Sequence, residues 1–319
     1  MTTAFSDRLV EAIRSKQAPV CVGLDPLLER LPLPLRGDLQ VAAARNPTGM
    51  GGESVGKALL AYGRGVIRAV APHVPAIKIN IAFFEPFYSL GIRIYYQLIV
   101  EARAAGLIVI GDVKRADIGH SSTQYAAAQL GAAAEAVGES AMPDAVTVNP
   151  YFGFEGVAPF VEVARQKGRG VFVLVQTSNP SAAEVQGLAL PDGTTVCQGV
   201  ARLVQEWAGA EGLIGRSGYS CIGAVVSPRD VPSTVCIREL MPSCLFLVPG
   251  FGAQGRTAEE VARCFKPDGS GAIVTASRSV IYAYEEPKYR GRPAAEWERC
   301  VADGCREFVA AVRAVVPSP

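Results

Sequence analysis

The 319-residue sequence contains only two histidines, His73 and His120. No metal triad and no Ser-His pair stands out, which argues against zinc hydrolysis and serine nucleophiles. Thiol chemistry is equally thin. The eight cysteines, Cys21, Cys197, Cys221, Cys236, Cys244, Cys264, Cys300 and Cys305, form no CxxC pair and no Cys/His cluster of zinc spacing. Several sit in apolar runs, Cys21 within Pro19–Leu24 and Cys221 just before Ile222, so they read as buried reduced thiols of a cytosolic protein. Excess charge of one sign is missing too, with 31 Lys+Arg against 30 Asp+Glu and no basic stripe, so no nucleic-acid partner is expected. No apolar run approaches the roughly 18 residues of a membrane span. The N-terminus places Phe5, Leu9 and Ile13 at helical spacing among charges, an amphipathic helix and not a signal peptide. A cytoplasmic protein without membrane contact is the expectation.

What is present is a regular alternation. Short β-rich apolar runs recur at Pro19–Leu24, Ala76–Ala82, Leu107–Gly111, Ala145–Asn149, Val171–Gln176, Ile222–Val226, Leu245–Val248 and Ala272–Thr275. Most are too continuously hydrophobic to face water on one side, which is how buried parallel strands read. Helical patterns fill the intervals at Gly56–Val70, Ile92–Ala105, Ser121–Val137, Gly156–Gln166, Val196–Trp207 and Thr257–Cys264, and Pro293–Val315 follows the last run. The alternation predicts one (β/α)8 barrel domain over residues 1–319, an α/β fold with the extra N-terminal helix as a lid. Two loops exceed what a barrel needs, Leu27–Ser54 and Thr177–Thr195. Both leave C-terminal strand ends and are lid candidates.

Ionisable residues gather at those strand ends. The first strand ends in Val22-Gly23-Leu24-Asp25. The second holds Lys78 and Asn80, and the third runs into Asp112-Val113-Lys114-Arg115-Ala116-Asp117. Side chains alternate along a strand, so Lys78 and Asn80 share the face opposite Ile77, Ile79 and Ile81, and Asp112 and Lys114 share theirs. Two carboxylates and two ammoniums in one mouth are tolerable only as an alternating network. A lysine between carboxylates stays protonated and can donate a proton. A carboxylate beside an anionic substrate forces that anion out. The set suits loss of CO2 followed by protonation of the carbanion, with Lys114 as donor, Asp112 pressing on the substrate carboxylate, and Lys78, Asp25 and Asp117 holding the geometry.

After the seventh strand the chain reads Val248-Pro249-Gly250-Phe251-Gly252-Ala253-Gln254-Gly255. The GxGxxG spacing alone suggests a dinucleotide site. Its place after strand seven favours a glycine loop whose N–H groups cradle a monophosphate, with Arg278 after strand eight as a second anchor.

These segments resemble one family. Asp112-Val113-Lys114-Arg115-Ala116-Asp117-Ile118-Gly119 matches the D-x-K-x-x-D-I-G motif of the orotidine 5'-phosphate decarboxylase family. Gly23–Pro26, Lys78–Glu85, Thr147–Tyr151, Gln176–Pro180 and Val248–Gln254 resemble its second, longer subtype, in family order across residues 21 to 280. The resemblance implies decarboxylation of orotidine 5'-monophosphate to UMP without metal or cofactor. It implies catalytic roles for Lys114, Asp112, Lys78 and Asp117. It implies substrate binding by Asp25 and Asn80 at the ribose, Thr177 and Ser178 at a mobile loop, Pro249 beside the substrate carboxylate, and Gly250, Gly252, Gln254 and Arg278 at the phosphate. It further implies a homodimer in which Asp117, Ile118 and Ser121 reach the partner's site. Two departures stand out: Ala276-Ser277 precedes Arg278 where many members have Gly, and Ala116 replaces a common Gly. Three other readings compete. A Mg²⁺-dependent sugar-phosphate decarboxylase or aldolase of the same barrel superfamily shares the strand-three motif. A nicotinamide oxidoreductase rests on GxGxxG alone, and the last is an inactive phosphate-binding module.

Overall fold

The computed structural model describes residues 3–36, 52–131, 141–252 and 255–317. Eight parallel strands close in sequence order into one barrel: β1 Val20–Leu24, β2 Ala76–Asn80, β3 Ile108–Arg115, β4 Ala145–Val148, β5 Gly170–Gln176, β6 Ile222–Val226, β7 Phe246–Val248 and β8 Ala272–Ala276. Closure is made by β1 against β8, with Cys21 opposite Thr275. Among the described residues the helices, apart from short turns, are α1 Phe5–Lys16, α2 Gly52–Val70, α3 Tyr88–Ala104, α4 Gly119–Leu130, α5 Phe154–Lys167, α6 Val196–Ala208, α7 Val231–Leu240, α8 Ala258–Ala262 and α9 Trp297–Arg313. The expected (β/α)8 barrel is the fold.

Alternation along each strand builds two apolar layers. Val22, Ile77, Ile79, Val109, Val146, Val171 and Val173 pack outward on the helices. Cys21, Ala76, Ile110, Ala145, Phe172, Leu245 and Ile273 face inward. Onto this inner layer α1 sets its apolar stripe, Phe5, Leu9 and Ile13. The Phe5 ring meets Phe172 edge-on, with centroids 5.8 Å apart. A Cβ on Gly170 would fall 2.2 Å from Phe5 Cδ1, so a side chain there would evict the ring. Arg8 of α1 donates to Asp144 Oδ1 at 2.6 Å, at the start of β4. The extra helix is therefore a plug at the N-terminal end, not a lid over the strand ends where the charged residues lie. Its stripe matches an apolar floor and nothing at the polar mouth.

The structure corrects other boundaries. β3 runs on to Arg115, because its register with β4 jumps between Gly111 and Arg115 and the bulge carries the strand past its apolar stretch. A helix follows β6 where the sequence pattern was silent. Val231–Leu240 is started by Asp230, whose side chain accepts from Ser233 N at 2.8 Å, with Pro232 in its first turn. α4 stops at Leu130 on a left-handed Gly131, and the remainder of the helix expected to Val137 lies outside the described residues. The Thr177–Thr195 loop contains a short helix, Ala183–Gln186, and ends in the capping box of Thr195 and Gln198. Most of the other long loop, residues 37–51, is outside the described residues.

Candidate active site

Every strand contributes to a cavity of about 230 Å³ at the C-terminal end of the barrel. Asp25 follows β1, Lys78 and Asn80 lie on β2, Asp112 and Lys114 on β3, and Thr147 on β4. Leu174 precedes Thr177 and Ser178 at the end of β5. Val225, Leu247, Pro249, Gly250 and Phe251 come from β6 and β7, and Thr275 to Arg278 from β8. Of the residues expected from sequence, Asp25, Lys78, Asn80, Asp112, Lys114, Thr177, Ser178, Pro249, Gly250 and Arg278 all line it.

The four charged groups form one alternating chain. Lys78 Nζ donates to Asp112 Oδ2 at 2.7 Å, and Lys114 Nζ to Asp112 Oδ1 at 2.5 Å. Asp25 Oδ1 stands 3.9 Å from Lys78 Nζ and has no hydrogen-bond partner although the atom is buried. Such an orphaned oxygen at a cavity wall is a ready acceptor for a ligand hydroxyl. Burial pushes the Asp112 carboxyl up, but Lys78 and Lys114 outweigh it and hold the group well below the usual carboxylate range. Burial likewise pulls the Lys78 ammonium down, and Asp112 and Asp25 more than reverse this, leaving it above its ordinary value. Asp112 is thus an anion and Lys78 a cation across ordinary pH. Lys78 and Asp112 are nearly enclosed, whereas half of the Lys114 side chain is exposed toward the cavity mouth. The enclosed pair sits below, and the more exposed Lys114 ammonium, bonded to the same carboxylate, sits above.

The cysteines take no part. All eight are unbridged, seven are buried, and burial pushes the Cys21 thiol up to about 12 despite the Lys78 charge nearby.

At the other side of the cavity the β7 loop turns on two glycines of positive φ, Gly250 at 104° and Gly252 at 68°. Gly252 does not reach the lining: its N–H is donated to the Arg256 carbonyl at 3.1 Å. Its part is the turn, so the cradle of amides expected from GxGxxG is narrower than the spacing implies. Gln254 lies outside the described residues. Arg278 opens a short helix directly after β8 and borders the same cavity as Gly250.

Asp117, Ile118 and Ser121 also stand apart from the cavity lining. Asp117 Oδ1 accepts from Ile118 N at 2.8 Å, and Ile118 is 50% exposed. They follow β3, and Asp117 O and Phe152 Cβ crowd the same side of Gly156; the rings of Tyr151 and Phe152, past β4, are exposed.

Sequence reading missed Thr147 and Ser277. Thr147 carried a signal, since it is the one polar residue of Ala145–Val148 and falls on the inward parity. Ser277 carried none. Its Oγ lies 1.9 Å from where a Cβ on Gly23 would stand, so the glycine before Leu24-Asp25 makes room for it.

Comparison with known proteins agrees with this geometry. The model of the orotidine 5'-phosphate decarboxylase / HUMPS family matches residues 18–292. An orotidine 5'-phosphate decarboxylase of Rhodopirellula baltica is 41% identical over 285 residues, covering 89% of this chain and 90% of that protein. One of Deinococcus radiodurans is 37% identical over 284 residues, covering 89% and 91%. A solved structure from Streptomyces avermitilis superposes with a TM-score of 0.75 at 30% identity, over 99% of this chain and 96% of that one. The Leishmania donovani OMP decarboxylase superposes at 0.69 and 25% identity, over 97% and 99%. With the family model matched over residues 18–292 and relatives matched over about nine-tenths of their length, the chain belongs to the orotidine 5'-phosphate decarboxylase / HUMPS family.

Proposed function

We propose that this chain decarboxylates orotidine 5'-monophosphate to UMP and CO2, the closing step of de novo pyrimidine nucleotide synthesis, as a cofactor-independent carboxy-lyase. The observation that carries the reading is the Asp25–Lys78–Asp112–Lys114 chain, with both Asp112 oxygens held by ammoniums, in one cavity with Gly250 and Arg278. Relatives matched over about nine-tenths of their length carry the same activity in their names.

The mechanism follows from charge placement. Arg278 and the β7 loop hold the phosphate, with Gln254 assigned by resemblance. Asp25, Lys78 and Asn80 take the ribose, and the unpartnered Asp25 oxygen accepts one of its hydroxyls. Thr177 and Ser178 approach from the β5 loop, and Pro249 packs beside the departing group. The substrate carboxylate then faces Asp112, whose fixed negative charge disfavours a second anion there. The bond from the pyrimidine ring to the carboxylate breaks, its electron pair stays on the ring carbon, and CO2 leaves. Lys114 gives its proton to that carbon. A divalent cation at Asp112 would have to displace two ammoniums, which sets this donor set apart from a magnesium-dependent relative of the same barrel.

Asp117, Ile118 and Ser121 act across a homodimer interface, in the partner's site. The exposure of Ile118 and Ser121, with the exposed aromatics Tyr151 and Phe152 past β4, suits such a face. The whole chain works as one catalytic domain in the cytoplasm, on a small molecule and without nucleic acid. Among the described residues no helix is long and apolar enough to cross a membrane. Loss of absorbance on incubating the purified protein with orotidine 5'-monophosphate tests the activity directly. Turnover unaffected by chelator is the expected result. No turnover, or turnover abolished by EDTA, overturns the proposal.

A further inference from the structure

We infer that Thr147, on β4, is a positioning residue whose hydroxyl sets both the orientation of the Asp112 carboxylate and the backbone bend that aims Lys114 into the cavity. The inference rests on the decarboxylase reading and adds a residue to it.

A threonine hydroxyl has one proton to donate and two lone pairs to accept with. All three are used here, and all by β3. Thr147 Oγ1 donates to Asp112 Oδ1 at 2.9 Å and accepts from Val113 N and Lys114 N at 3.0 Å each. The residue is 1% exposed, so no water substitutes for these bonds without a rearrangement.

The backbone needs this support. Lys114 has a φ of 44°, in the left-handed region, which a side-chain-bearing residue keeps only where its surroundings hold it there. The β3–β4 register jumps from Gly111 to Arg115, so the main chain of β4 offers Val113 and Lys114 no regular ladder partner. A side chain supplies what the ladder omits. The bend returns Lys114 Nζ to Asp112 only two residues earlier, and Thr147 grips the same carboxylate oxygen as that ammonium. One hydroxyl therefore couples the anion that faces the substrate to the strained residue that carries the proton. A buried strand position would otherwise suit valine, which has the same shape and no hydroxyl.

The test compares Thr147→Val with Thr147→Ser in the full-length protein, reading kcat, KM and the Kd for UMP. For Thr147→Val, kcat falls roughly tenfold or more while the UMP Kd stays within about threefold, because the product's phosphate and ribose contacts lie elsewhere. Thr147→Ser, which keeps the hydroxyl, stays within about threefold of the parent in kcat. Should Thr147→Val fail to show a cooperative thermal transition, Thr147→Ala takes its place in the same comparison. The inference is overturned if the folded hydroxyl-free variant keeps the parent's kcat, if kcat and UMP binding fall together, or if serine fails to restore turnover. A parent protein without turnover sinks the decarboxylase reading instead, so the two failures are distinguishable.

Discussion

The two ends of the barrel use the same strands for opposite purposes. At the N-terminal end the inward positions are Cys21, Ala76, Ile110, Ala145 and Ile273, sealed by Phe5, Leu9 and Ile13 of the plug helix. Two residues further along, the same parity delivers Gly23, Lys78, Asp112, Thr147 and Thr275. Two residues of strand span about 6.6 Å. Within that rise the interior changes from hydrocarbon to a chain of full charges. A dry floor so close beneath Lys78 and Asp112 keeps water from screening them from below, so each charge feels its neighbour strongly. The plug seals this apolar floor from below, and its work is that of a core element, apart from the charges at the mouth. Removing groups from either end separates these roles.

The largest effect belongs to Lys114. Lys114→Ala is expected to reduce kcat by about 10²–10⁴-fold, the range for losing a general acid, while UMP binding remains measurable by calorimetry. Substantial residual turnover would show that the proton comes from elsewhere. Asp112→Asn comes next, because it leaves two ammoniums facing a neutral amide and strands Lys78 in a buried position. It should cost about 3–5 kcal/mol in chemical denaturation as well as activity. A variant as stable as the parent would mean that the pair is not buried as described.

Phe5→Ala tests the opposite end. It removes the ring packed on Phe172 and is expected to cost about 3–5 kcal/mol of stability, with kcat little changed in the protein that remains folded. A specific loss of kcat without destabilisation would break the division between floor and mouth. A smaller signal comes from mixing Lys114→Ala with Asp117→Ala, each inactive alone. If the rim residues serve the partner's cavity, random exchange of subunits restores about one quarter of the parent sites. No recovery after verified exchange would place Asp117 outside the shared site.

The smallest expected effect is that of pH. Asp112 is held below its usual range, so its contribution to stability is present above about pH 3.9 and is lost as pH falls through its folded value. Lys78 is held above its usual range, so its contribution is present below about pH 10.4 and is lost as pH rises through its folded value. Between roughly pH 5 and 9 the difference in Tm between the parent and Asp112→Asn should stay flat. A steep change inside that window would contradict the charge states assigned to the pair.

Much of this is legible in the amino-acid sequence. Strand and helix alternation predicts the barrel because a period of two or 3.6 residues is a local property of the chain. Parity likewise puts Lys78 with Asn80 and Asp112 with Lys114. The helix Val231–Leu240 has no such trace, because its start depends on the Asp230 cap and not on a strong apolar period. The two ends of the first helix's story differ in the same way: its amphipathic stripe was readable, but which end of the barrel it covers was not.

The sequence by itself determined the class of fold, the strands that carry charge and the face each side chain takes, since those follow from periodicities spanning a few residues. Only the tertiary structure decided that Thr147 meets the amides of Val113 and Lys114, that Ser277 occupies the space left by Gly23, and that the plug lies opposite the charges. These are meetings between residues far apart in the chain. They are set by strand register, by a bulge and by barrel closure, none of which has a short-range trace.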